Sequence, residues 1–155
     1  MPKQYSVRKI RKSDLDRILQ IEHASFGRDA YDRNLFAEFL HKCGDLFLVA
    51  QRGSGVCGYI VTCIVGRTGH AELVSVAVDP EERGKGAASV LMESTIRRLR
   101  RRGVERLSLM VRVKNRKALA FYAKYDFRKV RVVRGYYDGK ADAWLMAKSL
   151  GARAD

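Results

Sequence analysis

The sequence predicts a mixed α/β fold, a central and mostly antiparallel sheet of about seven strands with about four helices beside it. β-branched runs of strand length alternate with longer stretches whose apolar residues recur at helical spacing. Glycine-containing turns at residues 52–55 and 66–69 join three strands into an antiparallel meander. A strand, a helix and a second strand lie between residues 71 and 113, which requires one parallel pair with a right-handed connection.

The predicted helices begin and end at recognisable signals. Ser13 followed by Asp16 predicts the N-terminal cap of the first helix, and Gly27 breaks that helix. Gly103 ends the third helix, after arginines whose charges suit a helix C-terminus. The helices are predicted at residues 13–26, 32–42, 87–102 and 115–125. The strands are predicted at residues 5–10, 46–50, 56–65, 71–78, 107–113, 127–133 and 143–147, with a loop at residues 135–140.

The composition is that of a globular chain. Its 155 residues predict a single domain, residues 1–155, with a buried core. No apolar run approaches the ~18 residues of a membrane span, and the first residues lack the apolar core of a signal peptide. The cysteines, Cys43, Cys57 and Cys63, match neither a disulfide framework nor a metal-ligand spacing. We therefore expect a protein of the reducing cytoplasm, without a metal and without a membrane contact.

The chain is organised around a strand, a glycine-containing turn and a helix that begins near Ala87. Pro80 ends the strand because proline cannot donate to a sheet ladder. Gly84 and Gly86 keep bulky side chains out of the turn, and the helix directs free N–H groups into it. Such a turn can bind a phosphate or a pyrophosphate. A dinucleotide fingerprint would need glycine at Ser89, and no Walker motif is present, so a plain strand-to-helix turn is the alternative.

Two stretches carry a family resemblance that covers nearly the whole chain. The pattern Arg83-x-x-Gly86-x-Ala88, in this order of elements, resembles the acetyl-CoA loop of the GNAT superfamily of N-acetyltransferases. Residues 111–127 and the tyrosine pair after them resemble the protein N-terminal acetyltransferases, in particular the ribosomal-protein-alanine enzymes and their archaeal relatives. The resemblance implies a GNAT-like fold, one N-acetyltransferase domain and acetyl-CoA as the cosubstrate.

The resemblance also assigns the cosubstrate to particular residues. In this family the loop N–H groups bind the pyrophosphate, and the strand before the loop pairs with the pantetheine arm. An asparagine side chain contacts the same arm, although Asn115 equally suits the N-cap of the helix that it begins. The implied cofactor-binding residues are Val76, Ala77, Val78, Arg83, Gly84, Lys85, Gly86, Ala87, Ala88, Asn115 and Tyr122.

Tyr122 and Glu72 are the implied catalytic residues. Tyr122 matches the family's general acid toward the leaving thiolate, and a core aromatic is the alternative. Met110 stands where the ribosomal-protein enzymes have a glutamate base, and methionine cannot accept a proton. Glu72 lies eleven residues before Arg83, as the catalytic glutamate does in histone-type members, and its apolar strand should desolvate it. The alternatives are a solvent-facing Glu72 at the strand edge, or water or Glu22 as the base.

The acceptor is predicted to be an amine. An α-amine with a pKa of ~8 is partly neutral near pH 7, whereas a lysine at ~10.4 is not, so a weak base favours a protein N-terminus. Phe26, Tyr136 and Tyr137 fall in the two loops that flank the acceptor peptide in this family, although hairpin packing would equally explain one tyrosine. A small amine or a lysine is the alternative acceptor.

The net charge of +14 predicts affinity for a polyanion without identifying it. A run of cations begins at Arg97 and ends at Arg102, where a solvated helix end is the ordinary interpretation. The alternative is contact with the ribosome or another polyanion. A basic RNA-binding or ribosome-binding module with vestigial catalysis is therefore the competing function.

Overall fold

A computed structural model describes residues 4–66 and 69–151. Within these residues the chain forms seven strands and four α-helices, which confirms the predicted mixed α/β fold. The strands are β1 (Ser6–Lys9), β2 (Phe47–Arg52), β3 (Gly55–Val65), β4 (His70–Val78), β5 (Arg106–Arg112), β6 (Arg128–Tyr137) and β7 (Ala141–Ser149). The helices are α1 (Leu15–Phe26), α2 (Arg33–Lys42), α3 (Ala87–Arg101) and α4 (Arg116–Lys124).

The strands form one sheet in the order β1-β2-β3-β4-β5-β7-β6. β1 with β2, β2 with β3, β5 with β7 and β6 with β7 are antiparallel pairs. β4 and β5 pair in parallel, with Ala71 opposite Leu107, which confirms the parallel pair expected from the strand–helix–strand unit. Of the predicted turn at residues 66–69, Arg67 and Thr68 lie outside the described residues.

The chain divides into two compact units. The first contains the residues up to Cys63 together with Val74–Arg98, and the second contains Ile64–Leu73 and the residues from Leu99. Apolar side chains of α1, α2, β2 and β3 form the core of the first unit, and Ile18, Phe36 and Phe47 are fully buried there. Each such side chain contributes about 1.5–3 kcal/mol relative to an exposed position.

The prediction that Ser13 caps α1 is wrong. Residues 12–14 form a 3-10 turn, α1 begins only at Leu15, and its N-cap residue Asp14 makes no capping hydrogen bond to the helix with its side chain. Its Oδ2 accepts the backbone N–H of Arg11 at 2.7 Å, and Arg8 donates to both carboxylate oxygens at 2.8 and 2.9 Å. This ion pair lowers the pKa of Asp14. The Asp14 carboxylate therefore closes the 3-10 turn that precedes α1, and it does not cap the helix itself.

The interpretation of the cysteines is wrong for two of them. Cys43, which follows α2, and Cys63 in β3 form a disulfide across twenty residues, with their Cα atoms 5.1 Å apart. Linear spacing does not reveal this pair, because the strand and the helix end meet only in the folded unit. Cys57 is a free cysteine and is buried, as a small residue of the core would be.

The second unit contains a longer hairpin than the sequence predicted. β6 extends to Tyr137, which pairs with Ala141, so the tyrosine pair lies in a strand and not in a loop. A register irregularity before Tyr137 allows this extension, and Asp142 Oδ1 accepts the N–H of Gly135 at 2.9 Å. Gly135 has φ +66°, a backbone conformation that suits glycine at such a bulge. Over the described ranges, no helix is both long and apolar enough to span a bilayer.

Candidate active site

The glycine-containing turn directly follows β4. Asp79 caps a 3-10 turn at residues 80–82 and accepts the N–H of Glu81 at 3.1 Å. Gly84 and Gly86 have φ values of +79° and +97°, and a Cβ atom on either would meet nothing within 4 Å. Backbone conformation therefore requires the glycines, and the space around them is open. The loop can thus present backbone N–H groups to an anion at the beginning of α3.

Side chains of the first unit hold the start of this turn. Arg17 forms an ion pair with Asp79 and donates to the carbonyl of Val56 at 3.0 Å. Glu82 accepts from the Tyr5 hydroxyl at 2.8 Å and from Arg52 at 2.5 Å. The N–H of Glu81 and then Arg17 lower the pKa of Asp79, while burial and then Glu82 raise the pKa of Tyr5 to about 12.

The guanidinium of Arg83 is also engaged within the first unit. Its Nε donates to the carbonyl of Val78 at 3.2 Å, and its Nη2 donates to Ser25 at 3.0 Å. The backbone N–H of Arg83 lies 3.5 Å from the carbonyl of Pro80 and so belongs to the 3-10 turn. The N–H groups from Gly84 onward are therefore the better candidates for binding an anion.

The end of β4 is tightly packed against β3. Ala77 and Val78 are buried, Val76 is half-buried, and the N–H of Asp79 donates to the carbonyl of Cys57 at 2.8 Å. This packing places the last backbone groups of the strand beside the turn. Open glycines, exposed Lys85 and free helix-start N–H groups together fit a pyrophosphate.

A buried carboxyl lies beneath the same strand. Glu22 of α1 is 1% exposed, and its Oε2 accepts the N–H of Tyr31 at 2.9 Å. Its Oε1 accepts from the hydroxyl of Tyr59 and, at 3.4 Å, from that of Ser75. Burial raises the pKa of Glu22 to about 7, against the opposing effect of the Tyr31 and Ser75 hydrogen bonds.

The sequence offers Glu22 only as an alternative base, and it does not predict the hydrogen-bonded cluster that Glu22 forms with Tyr31, Tyr59 and Ser75. Glu22 shares the apolar face of α1 with Ile18, four residues earlier, and with Leu15, seven residues earlier. A carboxylate on such a face is the available signal. Its partners Tyr59 and Ser75 could not be identified, because they lie on two different strands.

Tyr122 is buried in α4, with 8% of its surface exposed. Its ring makes edge-to-face contacts with Phe121 and Phe127, each at a centroid separation of 5.6 Å. Burial, and to a smaller degree the charge of Tyr137, raise the pKa of the Tyr122 phenol well above its usual value. The phenol therefore keeps its proton at neutral pH.

The expected desolvation of Glu72 is wrong. Glu72 is exposed, because its flanking residues Ala71 and Leu73 occupy the buried face of β4. The pKa of Tyr136 is raised, first by burial of its ring and second by the negative charge of Glu72. The second unit therefore brings the predicted base together with a predicted acceptor-binding tyrosine.

The tyrosine pair of β6 joins this group. Tyr136 is 48% exposed and packs edge-to-face on Tyr137 at 4.9 Å. The guanidinium of Arg112 lies 4.1 Å from the centroid of the Tyr137 ring. The two tyrosines therefore combine the hairpin packing of the alternative interpretation with the exposed surface that recognition of an acceptor requires.

The remaining predicted residues have separate positions. Asn115 is the N-cap of α4 and accepts the N–H of Ala118 at 3.1 Å, as its alternative interpretation expected. Phe26 ends α1 in the first unit and is 37% exposed. Met110 lies in β5 opposite Leu145. Nowhere in residues 4–66 or 69–151 do three His, Cys, Asp or Glu side chains gather as a metal site would require.

Comparisons with known proteins agree with this geometry. The model of the Acetyltransferase (GNAT) family matches residues 13–127. An N-alpha-acetyltransferase of Saccharolobus solfataricus is 35% identical over 94% of this chain and 93% of its own. The crystal structure of Ard1 from Thermoplasma volcanium has a TM-score of 0.91 at 25% identity and covers 97% of this chain and 100% of its own. That of the ribosomal-protein-S18-alanine N-acetyltransferase from Escherichia coli has a TM-score of 0.85 at 26% identity, over 97% of each chain. The chain therefore belongs to the GNAT family of acetyltransferases.

Proposed function

We propose that this protein transfers the acetyl group of acetyl-CoA to the N-terminal α-amine of another protein. The observation that carries the proposal is the open turn with Gly84 and Gly86 at positive φ, in a chain 35% identical to an N-alpha-acetyltransferase over 94% of its length. The turn supports binding of a pyrophosphate. The relative's name supports the α-amine as acceptor.

The loop and the strand before it hold the cosubstrate. Backbone N–H groups of Gly84, Lys85, Gly86, Ala87 and Ala88 bind the pyrophosphate, which the exposed positions of the first three and the start of α3 at Ala87 favour. The backbone of Val76, Ala77 and Val78 pairs with the pantetheine arm. Arg83 contributes by fixing the carbonyl of Val78, and Asn115 contacts the arm with its remaining hydrogen-bonding capacity while it caps α4.

Two side chains move protons in the transfer. When bound, acetyl-CoA supplies a thioester whose carbonyl carbon forms the new bond to the amine nitrogen as the carbon–sulfur bond breaks. Glu72, which is exposed, accepts the ammonium proton through water, and Tyr122 donates its phenolic proton to the departing sulfur. Backbone N–H groups near Val78 stabilise the charge on the carbonyl oxygen. Solvent then returns a proton to Tyr122.

An exposed base suits an α-amine better than a lysine. Because an α-amine has a pKa of ~8, only a modest proton acceptor is needed near pH 7.5, whereas a lysine at ~10.4 needs a stronger one. Phe26, Tyr136 and Tyr137 bind the first residues of the acceptor, which their partly exposed rings support.

A peptide panel tests this function. Each peptide is offered with a free or a blocked N-terminus and with or without an internal lysine, and mass spectrometry locates the acetyl group. We expect acetylation only of free N-termini. Acetylation confined to lysine would overturn the α-amine assignment. Calorimetry with acetyl-CoA is the accompanying measurement, and failure to bind at micromolar concentration would overturn the whole proposal.

We also infer that residues 1–155 work as a single acetyltransferase domain in the cytoplasm. The Saccharolobus solfataricus relative aligns over 94% of the chain, which supports one functional domain. The acceptor named for the Escherichia coli relative is a ribosomal protein, which supports a cytoplasmic location, although the Cys43–Cys63 disulfide removes the cysteine argument for a reducing compartment.

Polyanion binding is a second candidate function, because the charge is unevenly distributed. Residues 99–155 carry 16 Lys and Arg against five Asp and Glu, so 16 minus 5, or +11, of the net +14 lies there. Arg98 and Arg100 contact Ser94 and the carbonyl of Leu150, whereas Arg97 and Arg101 are exposed.

Fluorescence anisotropy with a short RNA between 50 and 200 mM salt tests this second function. The logarithm of the affinity should fall linearly with the logarithm of the salt concentration. Substituting Arg97 and Arg101 by Gln should reduce that slope by about two, since each phosphate contact adds about one. Arg28→Gln, an exposed cation of the first unit, is the control. An unchanged slope would remove the α3 end from the binding surface.

A further inference from the structure

Glu22 is a buried carboxyl that the transfer chemistry does not use. Both of its carboxylate oxygens have partners, and 1% of its surface is exposed. A base must exchange its proton with substrate or water, and a side chain that is 1% exposed with both oxygens engaged is poorly placed to do so. Its hydrogen bonds nevertheless make two connections within the first unit, one to the segment after α1 and one to the sheet.

The first connection is to the segment between α1 and α2. That segment begins with a 3-10 turn at residues 27–29 and continues through Ala30 to Tyr31. Glu22 Oε2 accepts the N–H of Tyr31 at 2.9 Å. Asp32 then caps α2 by accepting the N–H of Leu35 at 2.9 Å. The Glu22 carboxylate therefore holds the segment at Tyr31, and the next residue, Asp32, joins it to the start of α2.

The second connection is to the sheet. Ser75 contacts Glu22 Oε1 at 3.4 Å and the hydroxyl of Tyr59 at 3.1 Å. Ser75 directly precedes Val76, the first of the strand residues assigned to the pantetheine arm. Within one buried network, Glu22 thus joins the segment that follows Phe26 to the strand that holds the cosubstrate. A fully satisfied buried network of this kind fixes a single geometry.

We propose that Glu22 is a positioning residue, which holds the segment from Phe26 to Tyr31 in the conformation that binds the acceptor peptide. The inference rests on the proposed acetyltransferase function. It assigns Glu22 a hydrogen-bonding role in which the shape and polarity of the side chain matter and its charge does not. A neutral glutamine has the same shape, since its carbonyl oxygen can accept the Tyr31 N–H while its amide donates to a hydroxyl of the network.

Steady-state kinetics of Glu22→Gln and Glu22→Leu test the proposal, with an acceptor peptide of free N-terminus. For Glu22→Gln, kcat and the peptide KM should stay within about threefold of the parent, because the amide preserves the hydrogen bonds. For Glu22→Leu, which keeps the volume and removes the acceptor, the peptide KM should rise about tenfold or more while acetyl-CoA affinity stays unchanged. Glu93→Gln and Glu93→Leu, at an exposed position of α3, are the matched controls.

Each outcome of these kinetics supports or overturns the positioning role of Glu22. A large fall in kcat for Glu22→Gln at unchanged peptide KM would make Glu22 a base and overturn the positioning role. An unchanged peptide KM in a folded Glu22→Leu protein would also overturn it. Loss of acetyl-CoA binding or of all transfer in the parent protein would instead overturn the proposed function, and this inference with it.

Amide hydrogen exchange on the parent protein is the second measurement, and it does not depend on a variant that folds. The Tyr31 amide should exchange at least about tenfold more slowly than in an unstructured peptide, because a buried carboxylate accepts its hydrogen bond. Unprotected exchange at Tyr31 would show that Glu22 does not hold the segment, and would overturn the proposal even if Glu22→Leu did not fold.

Discussion

The carbonyl oxygen of Ala77 lies 2.9 Å from the position that a Cβ atom on Gly58 would occupy. β3 therefore approaches the end of β4 more closely than any side chain at position 58 permits. Gly58→Ala should force the strands apart and lower the free energy of unfolding by about 1–3 kcal/mol. Because Ala77 belongs to the strand assigned to the pantetheine arm, acetyl-CoA affinity should fall as well.

Gly55→Ala is the matched control in the same strand. A Cβ atom there would lie 3.8 Å from the carbonyl oxygen of Arg52, an ordinary contact. Denaturant unfolding and calorimetry with acetyl-CoA measure both variants. Equal effects at the two positions would contradict the close-approach explanation.

Tyr122→Phe should reduce kcat about 10²-fold or more, the contribution expected of a general acid. The ring contacts with Phe121 and Phe127 remain in this variant, so stability and acetyl-CoA affinity should be nearly unchanged. Tyr125→Phe, in which the ring contact with Phe121 is likewise preserved, is the control. Single-turnover kinetics check the prediction, and a parent-like rate for Tyr122→Phe would remove its acid role.

Glu72→Gln should lower kcat/KM for a peptide N-terminus about 10²-fold, because the amide cannot take up the ammonium proton. Stability should change little, since Glu72 is exposed. Glu105→Gln, another exposed glutamate of the second unit, is the comparison. If both variants retain the parent rate across the pH range, water alone accepts the proton.

The contribution of Glu22 to the free energy of unfolding should fall as the pH rises from 4.5 to 7. The pKa of Glu22 is raised from 4.5 to about 7 in the folded protein, so the folded state holds its proton more tightly than the unfolded state. Its favourable contribution is complete below pH 4.5 and is lost by pH 7, a change of about 3 kcal/mol. Urea unfolding at pH 5 and pH 8 should show this slope in the parent protein and not in Glu22→Gln. A slope that is the same in both proteins would contradict the raised pKa.

The disulfide between Cys43 and Cys63 should stabilise the first unit by about 3 kcal/mol, the value expected for closing a loop of this length. Under denaturing conditions the oxidised protein should show one reactive thiol, that of Cys57, and three after reduction. Thermal unfolding with and without reductant measures the stabilisation. Three reactive thiols in the unreduced protein would contradict the bond.

The order and type of the elements could be predicted because they depend on local patterns. β-branched runs, helical spacing and glycine turns predicted each strand and helix within a few residues. The glycine-containing turn could also be predicted, because Gly84 and Gly86 are needed for the backbone conformation itself. Such signals lie in neighbouring residues and do not depend on the rest of the fold.

The errors concern relationships between distant residues. Alternation along β4 places Glu72 and Leu73 on opposite faces, but it does not say which face other elements cover. The Cys43–Cys63 bond and the contact of Glu22 with Tyr59 likewise need the folded unit. The predicted cap of α1 was wrong for a more local reason, because residues 12–14 form a 3-10 turn and α1 begins only at Leu15.

The anchored start of the glycine-containing turn has a consequence for the thermodynamics of binding. Arg17, Arg52, Tyr5 and Arg83 already hold residues 79–83 through hydrogen bonds within the protein. A ligand that binds the following N–H groups meets a preorganised backbone and loses little conformational entropy in ordering it. In the complex proposed with acetyl-CoA, much of the interaction energy with the pyrophosphate therefore remains available as affinity.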